Sequence, residues 1–152
     1  MSTIARRKLI NDLKIFREEL FHDIFSSPFE NDLKIWSAII IGPHNTPWND
    51  GIFKLILLFS ERYPNYPPMI KISNAQFFHP NVYSDGVLCL DILQKRWSPG
   101  FSVNTLLISI QSLFCDPNPD SPANLEASRL YIHCRFRYYR RILNLSLKIW
   151  KI

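Results

Sequence analysis

The order of patterned segments predicts an α+β fold: an N-terminal helix, a four-stranded antiparallel β-meander, a long irregular segment and C-terminal helices, in a single domain of residues 1–152. Three observations carry this. Apolar residues near the N-terminus recur at helical spacing, the middle of the chain alternates β-rich runs with turn clusters, and helical spacing returns after residue 102. With 152 residues and 47% apolar content, one domain has enough material for a sizeable core.

TIARRKLINDLKIFREEL repeats Leu9, Leu13, Phe16 and Leu20 along one face and leaves Arg6, Arg7, Lys14 and Arg17 for water. LKIWSAIIIG (33–42) and GIFKLILLFS (51–60) are rich in β-branched and aromatic residues. MIKIS (69–73) is a shorter strand, and 22–29 supplies a first edge strand. GPHNTPWNDG must turn the chain between the two long strands, and YPNYPP (63–68) reads as an extended loop because its prolines lack ladder donors. After residue 79, Gly86, Pro99 and Gly100 punctuate an irregular stretch of the kind that is usually functional in a compact domain. SVNTLLISIQSLFC (102–115) is a helix capped by Ser102, with Leu106, Ile110, Leu113 and Phe114 on one face. DPNPDSP (116–122) ends it with three prolines, and the tail beyond reads as helical to the end or nearly so.

Composition excludes several classes. MSTIARRKL lacks the apolar stretch of a secretory signal, and runs such as LILLF (55–59) are too short to cross a bilayer, so a soluble intracellular protein of cytoplasm or nucleus is expected. Cys89, Cys115 and Cys134 form no CxxC pair and no disulfide framework, and His22, His44, His79 and His133 are scattered, so no metal is expected. The net charge of +5 is unevenly spread: residues 1–126 carry 11 Lys and Arg against 13 Asp and Glu, whereas the last 26 residues carry 7 bases and no acid. An asymmetry of that kind bears on partners rather than on fold.

The candidate chemistry centres on HPNVYSDGVLCLDI (79–92). Read from these residues alone, Cys89 is a packed core thiol, half of a cysteine–histidine pair with His79, or a nucleophile held at the surface. The last reading has Leu88 and Leu90 pointing inward and Cys89 outward on an extended ledge between the turns at 84–86 and WSPG (97–100).

FFHPNVYSDGVLCLDIL followed by RWSPGFSVNTLLISIQSLFCDPNPDSPAN resembles the ubiquitin-conjugating enzyme family, as do GPHNTPWNDGIFKL and YPNYPP. MSTIARRKLINDLK is similar to the branch named for post-replication DNA repair and histone monoubiquitination. The resemblance implies that Cys89 takes ubiquitin from an activating enzyme as a thioester and yields it to a substrate lysine alongside a RING-type ligase. Thiolates attack carbonyls well, and thioesters yield readily to amines. No cofactor is implied on the protein itself; ATP is used upstream by the activating enzyme.

By the same resemblance, the Asn81 amide stabilises the oxyanion, a kind of donor whose loss costs about 10²–10³ in rate; the alternative, compatible with it, is that Asn81 pins the turn through its own backbone bonds. Asp120 and Ser121 match the gate through which the acceptor lysine enters, and Asp91 lies near enough to orient its amine. Asp120 departs from the Asn usual in that branch. His79 and Pro80 take structural roles. Arg6, Arg7 and Lys8 match the first-helix face that meets the activating enzyme and ligases. Asn65, Pro99 and Gly100 match the loops completing that platform, and Ile108 and Ser112 match the surface where donor ubiquitin folds back.

Two departures stand out. Asn45 replaces a family glycine, a change a left-handed turn tolerates. The acid-free C-terminal helix gathers Arg137, Arg140, Arg141, Lys148 and Lys151 opposite Tyr138, Tyr139, Ile142, Leu143, Ile149 and Trp150, which fits ordinary packing with a solvated basic face or the docking of an acidic partner, nucleic acid or a membrane surface. The rival functions are conjugation of another ubiquitin-like modifier, a silent ubiquitin-binding variant, and nucleic-acid binding; the last leaves residues 79–122 without purpose.

Overall fold

The computed structural model describes residues 1–74 and 76–149, with side chains as far as residue 145. Helix α1 (Thr3–Glu18) begins where the Ser2 hydroxyl accepts the Ala5 N–H, and it buries Ala5, Leu9 and Asp12. Leu20 lies beyond its end and is exposed, so the predicted apolar stripe stops at Phe16.

Strands β1 (Ile24–Phe29), β2 (Asp32–Ile41), β3 (Ile52–Leu58) and β4 (Met69–Ile72) form one antiparallel sheet in the order β1-β2-β3-β4. Pro28 sits on the edge strand, where its missing donor is harmless, and the register shifts there. Alternation fixes the buried face: Trp36, Ala38 and Ile40 of β2 and Phe53, Leu55 and Leu57 of β3 point into the core, while Ile52 and Leu58 face outward.

The β2–β3 connection folds under the sheet rather than away from it. Trp48 is buried, stacks on Phe77, and donates from Nε1 to the Phe114 carbonyl at 2.7 Å. A Cβ on Gly42 would lie 1.7 Å from the Trp48 carbonyl oxygen, so this close approach requires glycine. Asn45 takes φ of 61°, the left-handed conformation expected of it.

Helices α2 (Leu90–Arg96), α3 (Val103–Cys115), α4 (Leu125–His133) and α5 (Arg135–Ile149) follow. Ser102 caps α3 as predicted, and Leu106, Ile110, Leu113 and Phe114 are all buried. The sequence reading left α2 inside an irregular stretch and ran α4 into α5. A break at Cys134 (φ −149°, ψ 71°) separates those two helices. Tyr138 and Ile142 of α5 pack inward, but Leu143 is half exposed and not on the packed side expected of it. The side chains of Lys148, Ile149, Trp150 and Lys151 lie outside the described residues. Among the described residues no helix is long and apolar enough to cross a membrane, and no group of three His, Cys, Asp or Glu could hold a metal.

Candidate active site

The turn that precedes the cysteine is held from beneath by His79. Its ring is fully buried among Trp48, Phe77 and Phe114. Nε2 lies 2.8 Å from the Leu113 carbonyl and Nδ1 lies 3.0 Å from the Asn81 N–H. A carbonyl only accepts and an amide N–H only donates, so the imidazole is neutral with its proton on Nε2. Burial depresses its pKa to about 4, against the opposing pull of the Leu113 bond. Both nitrogens are committed, which removes His79 as the base of a cysteine–histidine pair. Pro80, also buried, uses its carbonyl to accept the N–H groups of Ala123 and Asn124 at 2.7 and 3.0 Å.

Asn81 is completely buried and ties two segments together. Its backbone carbonyl accepts the Cys89 N–H at 2.9 Å. Its Nδ2 donates to the carbonyls of Asn118 (2.7 Å) and Ser121 (3.0 Å), and its Oδ1 accepts the Asn118 N–H at 2.9 Å. Stabilising an oxyanion requires a free amide N–H, and an asparagine has two. Both are spent on loop carbonyls here, so the amide clamps the 118–121 loop to the cysteine's turn and is not free for a thioester oxygen.

Cys89 corrects a second expectation. Val82 and Leu88 pair across a short bridge, but the extended geometry stops there, because Cys89 is the N-cap of α2 and Leu90 its first residue. Alternation therefore fails: Leu88 is 2% exposed, Leu90 is 50% exposed, and Cys89 is only 5% exposed. The thiol is covered rather than displayed on a ledge. It makes no capping bond, so α2 does not consume it.

The residue at the thiol that sequence reasoning missed is Tyr83. Its exposed side chain lies close enough to Cys89 for the two groups to interact electrostatically. Negative charge on Cys89, then partial desolvation, and the Asp91 and Asp85 carboxylates hold the tyrosine pKa above its ordinary value. Tyr83 therefore stays protonated as a donor. The turn that places it closes through Gly86 N–H to the Tyr83 carbonyl and Tyr83 N–H to the Val87 carbonyl, each at 2.9 Å. Gly86 has φ of +89°, and a Cβ there would meet the Ile72 carbonyl oxygen at 2.2 Å. The detectable signal was a tyrosine two positions beyond Asn81, on the arm of a glycine turn that faces the arm bearing Cys89.

At the rim, Asp91 is exposed in the first turn of α2, close enough to Tyr83 to influence it. Asp120 is exposed, and its N–H donates to Asn118 Oδ1 at 2.9 Å. The half-buried Ser121 accepts at Oγ from Lys95 Nζ at 3.2 Å. The fold thus assembles Cys89, Asn81, Tyr83, Asp91 and Ser121 around one turn.

The family model described as "Ubiquitin-conjugating enzyme" matches residues 8–145. The chain belongs to the ubiquitin-conjugating enzyme family. Proteins named "Ubiquitin-conjugating enzyme E2 2" from Kluyveromyces lactis, Eremothecium gossypii and Saccharomyces cerevisiae are each 48% identical to it over 151 residues. The match spans 99% of this chain and 92%, 88% and 87% of theirs, respectively. As a ubiquitin-conjugating enzyme it is a transferase that works through a thioester, and its partners are in general ubiquitin, an activating enzyme and a ligase.

On this conjugating enzyme the expected partner surfaces divide. Arg6 and Arg7 are exposed on α1, but Lys8 is only 18% exposed. Its ammonium lies 2.6 Å from Asp12 and 2.8 Å from the Phe101 carbonyl. Asp12 is itself buried and accepts the Tyr63 hydroxyl at 2.6 Å. Lys8 therefore neutralises an internal carboxylate, which would be costly to leave unpaired, and it is withdrawn from the partner face. Asn65, Pro99 and Gly100 are all exposed, and the Trp97 indole donates to the Pro64 carbonyl at 2.7 Å, joining their two loops. Ile108 and Ser112 are exposed on α3.

Proposed function

We propose that Cys89 carries ubiquitin as a thioester, received from an ATP-dependent activating enzyme, and passes it to a substrate lysine held by a RING-type ligase. The carrying observation is the clamp that draws the cysteine's turn and the 118–121 loop together through Asn81. Of the three cysteines, Cys89 alone stands in that assembly. The exposed Tyr83 ring swings aside to admit the ubiquitin tail, and its hydroxyl then serves the thioester oxygen that the engaged Asn81 amide does not reach. Asp91, Asp120 and Ser121 line the acceptor's approach. Arg6, Arg7, Asn65, Pro99 and Gly100 form the platform for activating enzyme and ligase, and Ile108 with Ser112 receives the folded-back ubiquitin. The protein needs no cofactor of its own.

The likeness of MSTIARRKLINDLK supports placement in the post-replication repair and histone-modifying branch, acting in nucleus and cytoplasm. The test is a gel of the protein incubated with activating enzyme, ATP and ubiquitin, run with and without reductant. A reducible adduct that vanishes in Cys89→Ala is expected. An adduct that persists in that variant, or none with ubiquitin, overturns the reading.

A further inference from the structure

We propose that Asp12 is a positioning residue for partner docking: one buried carboxylate joins helix α1 to the two loops that carry Asn65, Pro99 and Gly100 and holds the three as one preassembled surface. The inference rests on the reading of that surface as the platform for activating enzyme and ligase. Asp12 is 0% exposed, and its two oxygens are taken by different elements. Oδ1 lies 2.6 Å from the Lys8 ammonium on the same helix, and Oδ2 accepts the Tyr63 hydroxyl at 2.6 Å from the loop after β3. Lys8 Nζ in turn donates to the Phe101 carbonyl at 2.8 Å, in the loop between α2 and α3.

The backbone bonds of these two loops close each loop on itself. The N–H groups of Tyr63 and Tyr66 donate to the carbonyls of Ser60 and Arg62, and that of Phe101 donates to Ser98. Joining the loops to each other and to the helix falls instead to side chains: the Lys8–Asp12–Tyr63 junction, and the Trp97 indole that donates to the Pro64 carbonyl at 2.7 Å. Tyr63 is 2% exposed and its ring lies 5.7 Å from that of Trp97, so the two ties pack against one another. Burial, then the bond to Asp12, raises the Tyr63 pKa, which keeps the phenol a donor.

Stability alone does not call for charge at this place. A buried ion pair replaced by apolar side chains of similar volume often leaves a fold as stable as before, or more so. What the carboxylate supplies is direction, because its oxygens accept along set lines whereas an apolar contact has none. Both loops are thus ordered before a partner arrives, and association does not have to order them. The loop bearing Pro99 and Gly100 begins at Trp97, the C-cap of α2, and Cys89 is the N-cap of that helix, so seven helical residues set the distance from the surface to the thiol.

The experiment follows thioester formation from the activating enzyme, with ATP and ubiquitin, as the concentration of the full chain is varied. The variant Lys8→Met/Asp12→Leu/Tyr63→Phe removes all three polar groups together and leaves no unpaired charge behind. Its KM in loading should rise about fivefold or more, while its kcat and its discharge to free lysine stay within about twofold of wild type. Should that variant not fold, as judged by urea unfolding, Tyr63→Phe alone cuts one tie, keeps the ring and is read in the same way. An unchanged KM overturns the inference. So does a discharge that slows as much as loading, because a general loosening of the fold affects every step. Arg6→Gln/Arg7→Gln tests the surface itself: an unchanged KM in this variant overturns the platform reading, and this inference with it.

Discussion

The Tyr83 hydroxyl lies close enough to Cys89 to interact with it electrostatically, and it belongs to an exposed ring rather than to a buried network. Because Asn81 has spent both amide hydrogens on loop carbonyls, the proposed donor to the thioester oxygen is the Tyr83 hydroxyl. Tyr83→Phe removes the hydroxyl and keeps the ring, so the turn survives. Discharge of the loaded enzyme to free lysine should slow by about 10²-fold, in line with the loss of one oxyanion donor. Loading from the activating enzyme should still occur. Single-turnover discharge followed on non-reducing gels checks this, and a change under about twofold would remove Tyr83 from the chemistry. Sequence pointed to Cys89 and Asn81 and, through the resemblance, to Asp91 and Ser121, but not to Tyr83, the covered thiol or the bonds that occupy the Asn81 amide. The burial of Cys89 depends on where α2 begins, and the bonds of Asn81 reach 37 and 40 residues along the chain, beyond any local pattern.

His79 joins two elements, the turn at 79–82 and the C-terminal end of α3, through its bonds to Asn81 and Leu113. The joint holds only while the ring is neutral. Its folded pKa of about 4 lies below the ordinary value of 6.5, so the unfolded chain binds the proton more readily. The contribution to stability is complete above pH 6.5 and is lost as pH falls toward 4, at about 1.4 kcal/mol per pH unit or roughly 3 kcal/mol in all. Urea unfolding of wild type and His79→Asn at pH 7, 5.5 and 4.5 separates this from the carboxylates common to both. Wild type should lose more stability than the variant across the window; parallel curves would show that His79 does not carry the dependence. At this level the sequence was most readable where periodicity ran long. Helices α1 and α3 and strands β2 and β3 were read within a few residues, whereas the seven-residue α2 holds too few turns for a repeat. The break at Cys134 carries neither glycine nor proline to mark it.

Across the whole molecule, charge is divided between a slightly acidic body and an acid-free C-terminal helix, a division the sequence displays in full. The fold decides which of those bases remain available. Arg135 stacks on Tyr131 at 3.6 Å, and Arg141 lies over Phe78 at 5.0 Å and meets Glu126 at 3.5 Å across an exposed, weakly stabilising pair. Arg137 and Arg140 are exposed, and Phe136 beside them is 73% exposed, so the outward side of α5 joins positive charge to an apolar contact. That combination suits an acidic polypeptide: exposed charges attract over roughly a Debye length of 10 Å in 0.1 M salt, and the ring supplies contact once the surfaces meet. Retention on poly-glutamate at low salt should therefore be lost as salt rises toward about 1 M, where the Debye length shrinks to about 3 Å. Replacing Arg137, Arg140, Arg141, Lys148 and Lys151 with Gln should abolish retention at low salt while leaving the reducible adduct on Cys89 intact, because the substitutions lie outside the clamp around Asn81. Equal retention of the variant would mean that this face is simply a solvated helix surface.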